Sequence, residues 1–246
     1  MRKFILMSML GALSMIGKGH IVVNTSSDTV NVSSSGQTID DLSITGTGPY
    51  TAGGNSGNPD PNWYLHGYNV SSGVEFVNKN TINTNGKYDN AVLLNNKSEF
   101  TNSGTINING QSSLGVLSAD GTAKVTNSSS GVINVGGGGM GIATKGYSSP
   151  NFTGTIQNDG SIIGTAGGAG IMTYGSQNVA GGTVINNGTI KINGGTNATG
   201  VTISGYARLE NNGEISGSGT TNTPSNALVS GNNGAQIHNA ATGTIT

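Results

Sequence analysis

The stretch "FTNSGTINING" at residues 100–110 opens on an apolar residue and an Asn, turns at a Gly, and closes on alternating Ile and polar residues. Its wording returns as "VINNGTIKING" at 184–194 and "LENNGEISGSG" at 209–219. Stacked on one Asn, seven lines appear, anchored at Asn78, Asn102, Asn127, Asn158, Asn186, Asn211 and Asn239. The anchors lie 24, 25, 31, 28, 25 and 28 residues apart. A period in the 20s is the signature of a solenoid.

The alignment holds side chain by side chain. Two residues before the anchor the position is always apolar: Phe76, Phe100, Val125, Ile156, Val184, Leu209 and Ile237. The residue between varies freely, from Val77 to Glu210 to His238. After each anchor comes an Ile: Ile82, Ile106, Ile133, Ile162, Ile190, Ile215 and Ile245. Such in/out alternation belongs to a strand with one buried face. Two residues before that Ile stands Gly104, Gly131, Gly160, Gly188, Gly213 or Gly243, with Asn80 in the remaining line, and a bend with positive φ is expected there. A third apolar position follows in each turn, at Val92, Val116, Ile142, Ile171, Val201 and Leu228.

Three short strands per 24–31 residues cannot bury a face alone, but stacked in register they make a parallel coil with a continuous core. The fold class is therefore all-β, a parallel β-helix of about seven recognisable turns spanning 75–246 and cut off mid-turn at "HNAATGTIT", as in a fragment or truncated product. The stacked Asn residues are expected to form a structural ladder like that of cross-β stacks. Residues 20–74 show strand-like alternation without the anchor phrase and read as irregular N-terminal turns or a cap, with a Gly- and Pro-rich loop at 47–68.

Composition limits the function classes. The chain has 43 Gly, 32 Asn and no Cys, so thiolate metal sites and disulfides are excluded. A net charge of −1 and no Lys/Arg run give no reason to expect nucleic acid or an anionic membrane as partner. Arg2 and Lys3 precede the apolar "FILMSMLGALSMIG", too short to span a bilayer, so residues 1–19 read as a signal peptide of an exported protein. No later stretch is apolar enough to form a transmembrane segment.

The signal-like start, the lack of Cys and the "N-x-G-T-I" phrases resemble the passenger domain of bacterial autotransporters (type V secretion), clearly over residues 76–245. The resemblance implies a right-handed parallel β-helix displayed on the cell surface or outer membrane, or released. It also implies an outer-membrane β-barrel translocator as partner, which is absent from these residues. Many members are adhesins, and others carry protease or esterase regions whose motifs find no match here.

A search for chemistry finds little. Asp40 and Asp41 are neighbours that a strand points to opposite faces, and Glu210 and Glu214 fall on different strands and face outward; solvated surface is the expectation for the acids in general. His20, His66 and His238 lack metal-ligand spacing, and "GGGGMG" at 136–141 lacks the Lys-Ser/Thr of a phosphate loop and reads as a turn between strands. No catalytic residue, cofactor or metal site is expected, and the chain reads as not an enzyme. The candidate binding residues are Trp63, Tyr64, His66 and Tyr68 in "PDPNWYLHGY", either a binding loop or a cap over the end of the coil. Insertions at 145–154, 175–183 and 217–226 are further loop candidates.

The leading functional expectation is a non-enzymatic adhesin-type scaffold contacting a host-cell protein or glycan. The alternatives are a fragment of a polysaccharide-acting β-helix enzyme and a truncated product without independent function.

Overall fold

The computed structural model describes residues 20–37, 41–46, 48, 64–119, 122–145, 152–165, 167–175, 181–194, 198–218 and 228–246. The signal-like segment 1–19, Trp63 and Asp40 lie outside this set, as do most of the insertions at 145–154, 175–183 and 217–226. No described helix is long and apolar enough to cross a membrane.

The chain winds as a parallel β-solenoid with three sheets. Sheet A stacks His20–Val23, Asp41–Ile44, Thr81–Thr84, Thr105–Ile108, Val132–Val135, Ser161–Thr165, Thr189–Asn193, Glu214–Ser218 and Thr244–Ile245. Sheet B stacks Val30–Val32, Leu65–Val70, Asp89–Leu94, Leu114–Ser118, Met140–Thr144, Ala169–Met172, Thr199–Ser204 and Val229–Asn232. Sheet C holds the anchor phrases: Glu75–Asn78, Glu99–Asn102, Lys124–Asn127, Thr155–Asn158, Thr183–Asn186, Arg208–Asn211 and Gln236–Asn239. Among the described residues, sheet C has no strand beneath Glu75–Asn78, although sheets A and B have already begun.

Register follows the repeat, so like residues sit on like. Asn102 pairs with Asn78 and Asn127, and Ile106 with Ile82 and Ile133. Six of the isoleucines, Ile82 through Ile215, are fully buried, whereas Ile245 in the last strand is exposed. Each fully buried Ile contributes roughly 1.5–3 kcal/mol, so the column is a large part of what holds the turns together. Phe76 and Phe100 stack at 5.8 Å in the equivalent column of sheet C.

The anchor-phrase glycines act differently from expectation. None of Gly104, Gly131, Gly160, Gly188, Gly213 and Gly243 has positive φ. A side chain at any of them would instead collide with a backbone carbonyl of the turn below, Asn80 for Gly104 and Gly160 for Gly188. They are glycines because stacked bends approach too closely for a Cβ. Asn80 breaks the rule where no sheet C strand lies beneath.

Positive φ occurs at two other corners. Tyr88, Ser112, Gly138 and Gly167 adopt it before sheet B, and Gly73, Lys97, Tyr206 and Gly234 before sheet C.

Three further expectations shift by a few residues. Leu65–Val70 is a strand, so the loop read at 47–68 ends before Leu65. Met140 and Gly141 open a strand, so only the first part of the 136–141 glycine run is a turn. Val201 pairs with Val229, not Leu228, because the Leu228 carbonyl accepts from both Gly200 and Val201 and displaces the register by one.

Candidate functional site

Sheet C displays the Asn ladder. Each Asn Nδ2 donates to the Oδ1 of the Asn one turn later, at 2.8 Å from Asn78 to Asn102 and 2.9 Å from Asn102 to Asn127. The chain continues at 2.8 Å through Asn158, Asn186 and Asn211, and ends at Asn239 at 2.6 Å. The same amides also donate to bend carbonyls, as Asn127 does to Gly131 and Asn158 to Thr189. Asn78 through Asn211 are buried and Asn239 is exposed. A buried amide must find its partners in the protein, and here the next turn supplies them. These residues are spent on stacking.

The outward slots of sheet C carry Glu75, Glu99, Lys124, Arg208 and Glu210. Lys124 pairs with Glu99 at 3.3 Å, and Arg208 with Glu210 at 2.7 Å. Glu214 lies on a sheet A strand, away from Glu210, and His238 is exposed in sheet C. Among the described residues, no three of His, Cys, Asp and Glu form a metal-holding group.

Sheet B has a kink with a plain sequence signature. Gly67, Ala91, Gly115, Gly141, Gly170 and Gly200 each precede the inward apolar residue and also face inward. A Cβ at Gly170 would lie 2.8 Å from Ile190, and one at Gly200 2.8 Å from Ile215. Two consecutive inward residues, the first of them small, bend the strand as a bulge does.

Beyond the kink the next residues face out, and in the middle turns they are apolar. Leu93, Leu114, Leu117 and Ala143 form a second buried cluster with Tyr64, apart from the main core. Tyr64 is therefore buried against sheet B. His66 is half-buried in the same strand system, its Nδ1 3.1 Å from Asn90 Nδ2, and its carbonyl accepts from Thr29 Oγ1 at 2.8 Å. Tyr68 is not an aromatic outside the core: it pairs with Val30 and Val92 and is 2% exposed, its ring 5.0 Å from Phe76. The described members of the sequence-proposed aromatic group thus divide between the core and the outer side of sheet B.

Sequence reasoning passes over Asp89, for which solvated surface is the expectation. It is fully buried at the corner before sheet B. Its Oδ2 accepts from the Gly86 amide at 2.7 Å, while Oδ1 has no partner. Burial pushes its pKa up to about 7, only partly offset by the Gly86 hydrogen bond. Its place above Leu65 and below Ser113, whose Oγ accepts from the Asp89 amide at 3.0 Å, is the available signal. Asp28 behaves oppositely. The backbone amides of Thr25 and Asn24 and the Thr25 hydroxyl hold its carboxyl below the usual range.

Sheet A faces outward with hydroxyls and amides. Asn107 Nδ2 donates to Asn83 Oδ1 and Asn134 Nδ2 to Asn107 Oδ1, both at 2.8 Å, and beside them Asn109 donates to Asn85 at 3.0 Å. Comparison with protein-family models, with curated proteins and with solved structures gives no match for this chain.

Proposed function

We propose that this chain is an exported, non-enzymatic adhesion scaffold, a β-helical passenger-type rod whose varying outward positions contact a cell or host surface. One observation supports the reading above others. The invariant positions of the repeated phrase are consumed by stacking, the Asn in its ladder and the Ile in the core, so they leave no group free to act on a substrate. What varies from turn to turn is the outward slot, such as Thr101, Thr126, Gln157, Ile185 and Glu210. A rigid scaffold with interchangeable outward side chains suits recognition, where affinity depends on preorganised contact groups.

The test is saturable binding of the purified, fluorescently labelled chain to intact host cells and to bacteria, displaced by unlabelled protein. Non-saturable binding would overturn the reading. So would depolymerisation of a polysaccharide that is lost on replacing a single acid such as Glu214.

A further inference from the structure

The three outer faces of the coil differ in chemistry. That of sheet B is apolar and largely buried in its middle turns, and that of sheet C carries Glu75, Glu99, Lys124, Arg208 and Glu210. Sheet A is different. Over its four central strands the outward positions are Thr81 and Asn83, Thr105 and Asn107, Val132 and Asn134, then Ser161 and Ile163. No charge enters these columns between Asp41 on one side and Lys191 on the other.

The amides on this face are ordered before any ligand arrives. A carboxamide offers two N–H donors and two acceptor lone pairs. Asn107 uses one donor on Asn83 and one lone pair for Asn134, which leaves one N–H and one lone pair at a fixed orientation. Asn83 is held further by Ser43 Oγ at 3.4 Å, and Asn85 and Asn109 extend the lattice sideways. With strands about 4.8 Å apart and like-facing residues about 6.6 Å apart, the patch from Thr81 to Asn134 measures about 10 by 7 Å, and Asn85 and Asn109 extend it to about 13 Å along the strands. That area accommodates a short oligosaccharide.

We propose that this face of sheet A binds a neutral, hydroxyl-rich glycan. The match is in charge and in hydrogen-bond pattern. Vicinal sugar hydroxyls present one donor and one acceptor side by side, which is what each laddered amide leaves open. A patch without charge gives an anionic polymer no electrostatic gain, and the chain's net charge of −1 gives none at longer range. Ladder bonds that already fix the side chains reduce the ordering cost of binding. The proposal rests on the adhesion reading and names the partner class and the surface.

The experiment uses the full chain and a printed array of neutral, sulfated and sialylated oligosaccharides, alongside the cell-binding assay. Two variants accompany it: the triple Asn83→Thr, Asn107→Thr, Asn134→Thr, which keeps β-compatible side chains, and a control in the exposed amide pair at the corner between sheets C and A, Asn187→Thr with Asn212→Thr. Far-UV spectra and melting curves confirm that both fold. The expected result is binding to neutral glycans that changes little between low and high salt. The triple variant weakens it by about tenfold or more, equivalent to about 1.4 kcal/mol, and the control leaves it unchanged. Binding only to anionic glycans, no binding to any neutral glycan, or equal binding by the folded triple variant overturns the proposal. Cell binding that persists in the triple variant while wild-type glycan binding is absent removes the glycan face alone. Absence of cell binding in the wild type removes the adhesion reading as well.

Discussion

Asn158 Nδ2 sits 2.8 Å from Asn186 Oδ1, joining residues 28 apart in sequence, and it also reaches the Thr189 carbonyl at 3.3 Å. One amide therefore ties a strand end to the next turn in two places. Replacing Asn158 with Ala removes these bonds, strands Asn186 Oδ1 in a buried setting and deprives Asn127 of its ladder acceptor. A loss of about 2–4 kcal/mol is expected, from one or two buried polar groups left unsatisfied. The exposed neighbour Asn187 also bonds along the stack, to Asp159 at 2.7 Å, but water can replace that partner. Asn187→Ala should cost less than about 1 kcal/mol. Urea midpoints of the two variants, compared directly, check the contrast.

The glycines separate by mechanism. Gly188 has no positive φ, so backbone conformation alone would let Ala stabilise it. Its Cβ would nevertheless collide with the Gly160 carbonyl, and rigid stacked turns have little room to part. Gly188→Ala should destabilise by at least about 2 kcal/mol. Gly138 shows the opposite combination, φ of 69° with nothing within 4 Å of an added Cβ. Gly138→Ala should cost only about 1 kcal/mol, and Gly138→Asn less, because Asn tolerates the left-handed region. A thermal melt that ranks Gly138→Ala as the more damaging change would refute the steric account.

How much of this was legible in the sequence depended on the kind of constraint. Columns of identical residues, such as Ile106 over Ile82 or Asn102 over Asn78, are periodic, and periodicity can be read from a single chain. The glycine positions were equally visible, but a letter does not say whether φ or a neighbouring carbonyl demands it. The left-handed corners at Tyr88, Lys97, Ser112 and Tyr206 carry no common residue type, so no pattern announced them. Tyr68 misled because it follows a Gly- and Pro-rich stretch, while its pairing with Val30 and Val92 spans 38 residues to one side and 24 to the other. Asp89 was hidden because its burial depends on which corner it occupies, and the loops before the third strand vary in length. The repeat dictates the inward positions, and recognition belongs to outward ones that it leaves unspecified.

Thr84 occupies a core column otherwise filled by Ile44 below and Ile108 above, and its buried hydroxyl has no hydrogen-bond partner. Desolvating a hydroxyl without compensation costs free energy that an apolar side chain of the same shape does not. Thr84→Val should therefore stabilise the chain by about 1 kcal/mol, read as a higher denaturant midpoint with unchanged slope. A destabilised Thr84→Val variant would show that the hydroxyl has a partner in solution, such as an ordered water.

Asp89 gives the coil a pH dependence of definite sign. Its carboxyl has an ordinary value of 3.8 in the unfolded chain and about 7 in the fold, raised by burial. Between those values the folded state holds a proton that the unfolded state has released. Stability contributed by this group is therefore fully present below the lower value and falls as pH rises through the window, levelling off above about 7. Each tenfold difference in proton affinity between the two states is worth about 1.4 kcal/mol, so the loss amounts to a few kcal/mol at most. Asp89→Asn keeps an oxygen for the Gly86 amide and cannot ionise, so its stability should run flat where the wild type declines. Urea midpoints for both proteins at pH 4, 5, 6 and 7 decide the matter: parallel profiles would mean that another group carries the dependence.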